Sequence, residues 1–251
     1  MLKFAASVTT MFGEAELLDR FELAAQAGFR AVEIQAPYGE SAAALSERAR
    51  SHSVEVVLIN MPVAVGAIPG REQEFRDGFQ RALPYVAALG HPQLHCLAGV
   101  TDHPDAKDTF IENLKWAAEQ VRKLDIRLLI EPLNTQDNPG YFLNGSAQGR
   151  RIVDDVGAQN LRLQYDLYHM QIMEGFLAET IRAQADVIGH IQISGVPGRH
   201  EPDAQQEINF PYLFDVIEEV GYKGWVGCEY RPRAETLDGL AWAQPYGIVP
   251  A

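Results

Sequence analysis

Eight short apolar runs, recurring about every thirty residues and each followed by a stretch of helical periodicity, constrain this chain most tightly. The runs predicted as strands cover residues 2–6, 31–35, 54–60, 93–97, 127–131, 162–166, 187–193 and 225–229. Helical spacing of apolar residues marks 14–27, 41–51, 71–89, 108–124, 146–156, 176–185, 212–220 and 234–243. A run such as Val56-Val57-Leu58-Ile59 is apolar on both faces, which suits a parallel strand covered by helices. Eight β-then-α units with no linker between them predict an α/β architecture closed as a (β/α)8 TIM barrel, one domain over residues 1–251. A doubly wound open sheet is the structural runner-up. The length of 251 residues is ordinary for one such barrel, and a hydrophobic content of 47% supplies its core.

Loop lengths indicate which end of the barrel carries function. The helix-to-strand connections are tight, as at Gly28-Phe29 and Asp125-Ile126, whereas the strand-to-helix segments 61–70, 132–145 and 194–209 are longer and hold the unusual residues. In barrels of this kind the site lies on those longer loops, at the C-terminal ends of the strands. Residues 245–251 read as a loose tail.

The net charge of −13, from 21 basic and 34 acidic residues, argues against a nucleic-acid partner, because phosphate binding needs clustered Lys and Arg. Anionic small substrates stay open, since a bound metal and one arginine can reverse the sign inside a pocket. No apolar run is long enough to span a bilayer, and the apolar stretch at the N-terminus is too short for a signal peptide. Cys96 and Cys228 both lie in apolar runs and read as small buried hydrophobes. The cytoplasm is therefore the expected compartment, and a homo-oligomer is compatible with the sequence without being dictated by it.

The last four strands each finish on a polar side chain: Glu131, Asp166, Gln192 and Glu229. An acid at the mouth of a barrel needs water or a counter-charge. No neighbouring run of Lys or Arg offers a partner for three carboxylates, so a divalent metal ion is the predicted one. The competing reading, in which each acid caps the helix after its strand, explains one such position well and four in succession poorly. Three carboxylates and an amide oxygen are hard donors, which favour Mg²⁺ or Mn²⁺ over zinc. His190 lies two residues before Gln192, on the same face of a regular strand, and reads as a neighbour of ligand or substrate.

The segments Glu131-Pro132-Leu133-Asn134-Thr135, Tyr165-Asp166-Leu167-Tyr168-His169-Met170-Gln171, His190-Ile191-Gln192-Ile193 and Pro197-Gly198-Arg199-His200-Glu201-Pro202 resemble the hydroxypyruvate isomerase family. So do Glu207-Ile208-Asn209 and Gly224-Trp225-Val226-Gly227-Cys228-Glu229-Tyr230. That family belongs with the xylose isomerase-like barrels, beside ketose 3-epimerases and endonuclease IV. The resemblance implies that Glu131, Asp166, Gln192 and Glu229 bind the metal, that Glu131 and Glu229 also form the acid–base pair, and that His169 and Arg199 face substrate. The first half departs from the family pattern: Ser7-Val8-Thr9 stands where an Asn-Leu-Ser segment is usual, and residues 63–69 replace a longer loop.

The reaction so implied moves a proton between adjacent carbons of a small hydroxy-keto acid through an enediolate, with no redox cofactor. For hydroxypyruvate the product is 2-hydroxy-3-oxopropanoate (tartronate semialdehyde). Isomerisation of a 2-oxo-tetronate or 3-epimerisation of a ketose is the nearest alternative. An endonuclease IV-like metal phosphodiesterase or a sugar-acid binding protein without chemistry fits the residues less well. Arg199 is expected either to hold a substrate carboxylate or to pair within its loop with Glu201, Asp203 or Glu207.

Overall fold

In the computed structural model, which describes residues 2–250, the strands are β1 (Lys3–Ser7), β2 (Ala31–Ile34), β3 (Glu55–Ala64), β4 (Gln93–Leu97), β5 (Leu128–Ile130), β6 (Leu161–Asp166), β7 (Ile188–Ile193) and β8 (Trp225–Cys228). They pair in parallel, in chain order, into a closed barrel. Closure is made by β1 against β8, from Lys3 opposite Trp225 to Ala6 opposite Cys228. That pairing leaves the sheet no free edge and rules out the open doubly wound alternative.

The helices are α1 (Arg20–Gln26), α2 (Ala42–Ser51), α3 (Glu72–Ala88), α4 (Ala106–Val121), α5 (Ser146–Val156), α6 (Leu167–Met173), α7 (Leu177–Gln184) and α8 (Phe210–Glu219). Their ends have local causes. The Ser41 side chain accepts from the Ala44 N–H at the start of α2, and Asn209 does the same for Tyr212 at the start of α8. Gly157, with φ of 67°, ends α5 in the left-handed conformation that glycine adopts without steric cost.

Four elements differ from expectation. Residues 14–19 are turns, not the first part of α1, because the Arg20 side chain bonds the carbonyl oxygens of Ala15 and Val8 and satisfies them without a helix. Strand β3 runs on to Ala64, which pairs with Leu97 after a register shift, so much of the predicted loop is extended sheet. Helix α6 starts directly at the end of β6, and Leu167, Tyr168, His169 and Met170 are all buried, which leaves no one-sided stripe to read. The last predicted helix is a run of 3-10 turns, Thr236–Tyr246.

The end of the chain is docked and not loose. Phe4 on β1 packs against Phe214 (5.3 Å between ring centroids) and Trp242 (5.7 Å), and Ile248 is buried. The Val249 backbone lies so near Gly28 that a Cβ there would meet its carbonyl oxygen at 2.6 Å. Residue 251 of the predicted tail lies outside the described residues. Both cysteines are free and buried, and among the described residues no helix is long and apolar enough to cross a membrane.

Candidate active site

The barrel interior has a period of two. Alternate residues of each strand point inward, so an inward polar residue at a strand end meets those of neighbouring strands. Asp166 is the register partner of Gln192, Gln192 of Gly227, and the Glu229 N–H donates to the Ile193 carbonyl. Glu131 follows β5 immediately. The four sequence-predicted positions therefore occupy four consecutive strand ends on the C-terminal side. Asp166 and Gln192 are fully buried and Glu131 nearly so. Glu131, Asp166 and His169 each bring one donor atom to within 4.8 Å of the others.

Arg199 is the counter-charge that the sequence does not reveal. Its Nη2 lies 2.9 Å from Glu229 Oε2 and 3.3 Å from Asp166 Oδ2. Glu201 and Asp203, the expected loop partners, pair with Arg233 instead. The expectation that the acids find no basic partner is thus corrected: a loop arginine reaches back over two strand ends, a contact no local run encodes. The loop holds it in place, with the Arg231 N–H bonding the Arg199 carbonyl at 2.7 Å and the guanidinium stacked over Tyr168. Arg199 has φ of 57°, a left-handed strain of about 1–3 kcal/mol for a side-chain-bearing residue, which clusters at functional sites. Its Nε is buried with no hydrogen-bond partner.

His169 sits on α6 beside Asp166. The Asn134 N–H donates to His169 Nδ1 at 3.1 Å, so in the neutral ring the proton belongs on Nε2, which lies 3.6 Å from Asp166 Oδ2. Burial lowers its pKa to about 4, against an opposing pull from Asp166, so the ring stays neutral near pH 7. His190 is placed differently. Fully buried within the barrel, it meets Gln93 through Nδ1 at 3.2 Å and Glu33 through Nε2.

Three inward residues were missed from sequence: Glu33, His95 and Gln164, all buried. Gln164 Nε2 donates to Gln192 Oε1 at 2.6 Å, and His95 Nδ1 lies 3.7 Å from Glu131 Oε2. The signal was present in the alternation Arg162-Leu163-Gln164-Tyr165-Asp166, polar at every second position. Above the acids, Arg199 and Tyr168 help to line a cavity of about 880 Å³ together with Asp137, Gln171 and Arg231.

Burial and mutual repulsion perturb the acids. The Glu131 carboxyl is pushed well above the usual range, first by burial and then by the charges of Glu229 and Asp166. Glu229 is raised to about 7 by burial, with Arg199 opposing and Asp166 adding to the rise. One Glu131 oxygen is buried without a hydrogen-bond partner. Three crowded carboxylates, an orphaned oxygen and an adjacent amide oxygen make a hard donor set that fits a divalent cation such as Mg²⁺ or Mn²⁺.

A pH dependence follows for protein kept in chelator. The folded Glu229 binds its proton more tightly than the unfolded one, so stability is highest below the ordinary carboxylate pKa and falls as pH rises to about 7. The melting temperature should therefore drop between pH 5 and pH 7.5 (roughly the window bounded by those two pKa values). Glu229→Gln should flatten the drop, and an equal slope in both proteins would show that this carboxyl ionises without penalty.

Comparison with known proteins agrees with the geometry. Residues 21–246 match the family described as Xylose isomerase-like TIM barrel. The chain is 46% identical to the hydroxypyruvate isomerase of Escherichia coli K12, over 98% of this chain and 100% of that protein. It is 45% identical to the 2-oxo-tetronate isomerase of Cupriavidus necator, over 98% of this chain and 99% of that one. A crystal structure titled AP endonuclease, family 2, from Brucella melitensis superposes with a TM-score of 0.96 at 45% identity, covering 98% and 100% of the two chains. The chain belongs to the xylose isomerase-like TIM barrel family and, within it, to the hydroxypyruvate isomerase group.

Proposed function

We propose that this chain is a metal-dependent isomerase of small hydroxy-keto acids that interconverts hydroxypyruvate and 2-hydroxy-3-oxopropanoate. The observation that carries the reading is the pair Glu131 and Glu229: a buried and a mostly buried carboxyl at the β5 and β8 strand ends, in unequal surroundings, across one acidic cluster. Unequal surroundings separate the proton affinities of two acids, which is what an acid–base pair needs.

Glu131, Asp166, Gln192 and Glu229 would hold the ion. When bound, the ion supplies electrophilic polarisation of the carbonyl and hydroxyl oxygens, which acidifies the neighbouring C–H. One glutamate removes a proton from C3 of hydroxypyruvate, and the electron pair moves into the C2–C3 bond to give an enediolate. The partner glutamate delivers a proton to C2, while the hydroxyl proton passes from the C3 oxygen to the C2 oxygen. His169, with its Nε2 proton aimed at the cluster, is placed to donate to a substrate oxygen. Hydrogen leaves and returns as a proton, so the balance requires no redox cofactor.

Arg199 supports an acid as substrate: its guanidinium stands beside the acidic cluster and helps to line the cavity above it, where a carboxylate could pair with it. This favours hydroxypyruvate or a 2-oxo-tetronate over a neutral ketose. Phosphodiester cleavage fits less well: carboxylates outnumber the two histidines beside them, His169 and His95, and a chain charge of −13 repels a phosphate backbone. With free buried cysteines, we place the enzyme in the cytoplasm.

Proton NMR turnover of hydroxypyruvate, a 2-oxo-tetronate and a neutral ketose with Mg²⁺ or Mn²⁺ tests the reading. Arg199→Lys should cut kcat/KM for the preferred acid by about ten- to a hundredfold, since charge-assisted bonds contribute about 1.5–3 kcal/mol and lysine lacks the fork. Metal content should not change, and any ketose turnover should fall much less. Equal losses on acid and ketose would make Arg199 a structural residue, and turnover of the ketose alone would overturn the substrate class.

A further inference from the structure

We propose that Glu33 is a positioning residue that fixes the side-chain amide of Gln192 with its oxygen toward the acidic cluster; this rests on the metal-binding reading above. Glu33 belongs to β2, three strands around the barrel from β7, and is fully buried. Its carboxylate is the meeting point of donors from two strands. Gln192 Nε2 donates to Oε2 at 2.8 Å, Gln35 Nε2 donates to the same oxygen at 3.3 Å, and His190 Nε2 bonds Oε1. A Cβ on Gly227 would overlap this carboxylate, so the bare position on β8 makes room for it.

The polarity of the network is determined at both ends. Arg127 can only donate, and its Nη1 donates to Gln93 Oε1 at 3.3 Å. Gln93 therefore presents its NH₂ to His190 Nδ1, at 3.2 Å. That leaves the His190 proton on Nε2, facing Glu33, which as a carboxylate can only accept. Gln192 must then turn its NH₂ toward Glu33, and its oxygen points the other way. There it meets Gln164 Nε2. An amide has no intrinsic preference between its two orientations, and one of them would present N–H groups to the ion. The relay Arg127–Gln93–His190–Glu33 removes that choice across the width of the barrel. Groups that orient metal ligands typically change affinity by about 10–100-fold when replaced.

The test is Mn²⁺ titration of chelator-stripped protein, following the free-ion EPR signal, beside a melting curve of the same preparation. Glu33→Gln puts an NH₂ where Gln192 needs an acceptor and should weaken Mn²⁺ by about 10–100-fold while the barrel stays folded. Gln192→Glu alone should bind poorly, because two carboxylates then abut. The double variant Glu33→Gln/Gln192→Glu exchanges donor and acceptor and should bind Mn²⁺ more tightly than either single variant. Packing alone would not produce that recovery. Should Glu33→Gln fail to fold, the double variant still decides: it must fold and bind. Wild-type affinity in Glu33→Gln, with loss in Gln192→Leu, would overturn the proposal and leave the metal reading standing. Wild-type affinity in Gln192→Leu would overturn the metal reading itself. Failure of the double variant to recover would reduce Glu33 to a packing residue.

Discussion

Glu131→Gln and Glu229→Gln should each lower kcat by about 10²–10⁴-fold, the usual contribution of a general acid or base. The amide keeps the shape and an oxygen donor but cannot take up or deliver the proton. Glu131 is buried and Glu229 mostly buried among other charges, and both carry proton affinities displaced upward, toward neutrality for Glu229. Substrate is predicted to exchange its carbon-bound hydrogen with D₂O in wild-type protein. In the variant lacking the abstracting glutamate that exchange should vanish; in the variant lacking the delivering one it should continue at the first carbon without turnover. Proton NMR in D₂O separates the two roles. If both variants turn over at wild-type rates, the pair is not the acid–base pair.

The strand ends were legible because a polar residue that closes an apolar run is conspicuous. Asp166 after Tyr165 and Glu229 after Cys228 need no structure to be noticed. Strand β4 and helix α5 fall at their predicted bounds, since the parallel strand is bounded by polar turns and the helix carries a clear stripe of buried Ile152, Val153 and Val156. What escaped is long-range. The partners of Arg199 come from β6 and β8 across a loop, and the partner of His190 comes from β2, 157 positions away. Glu33, Gln93, His95 and Gln164 look like scattered polar interruptions until the closed barrel turns alternate residues inward. Treating strands as uniformly apolar concealed that inner polar layer.

Removal of the divalent ion should abolish turnover. The expectation rests on the crowding of the acids: Asp166 and Glu229 share one guanidinium, and one Glu131 oxygen has no hydrogen-bond partner. Asp166→Asn should weaken the ion strongly while leaving the fold intact, because Asp166 Oδ1 caps α6 through the Tyr168 N–H and an asparagine oxygen can do the same. Competition with protons at Glu131 and Glu229 should also make apparent metal affinity rise with pH through neutrality.

The most direct measurement is hydroxypyruvate turnover by proton NMR in protein stripped of metal and checked by elemental analysis, before and after addition of Mg²⁺ or Mn²⁺. The predicted result is no turnover in the stripped protein, recovery on adding either ion, and no recovery in Asp166→Asn at the same ion concentration. Full turnover by demonstrably metal-free protein would contradict the account.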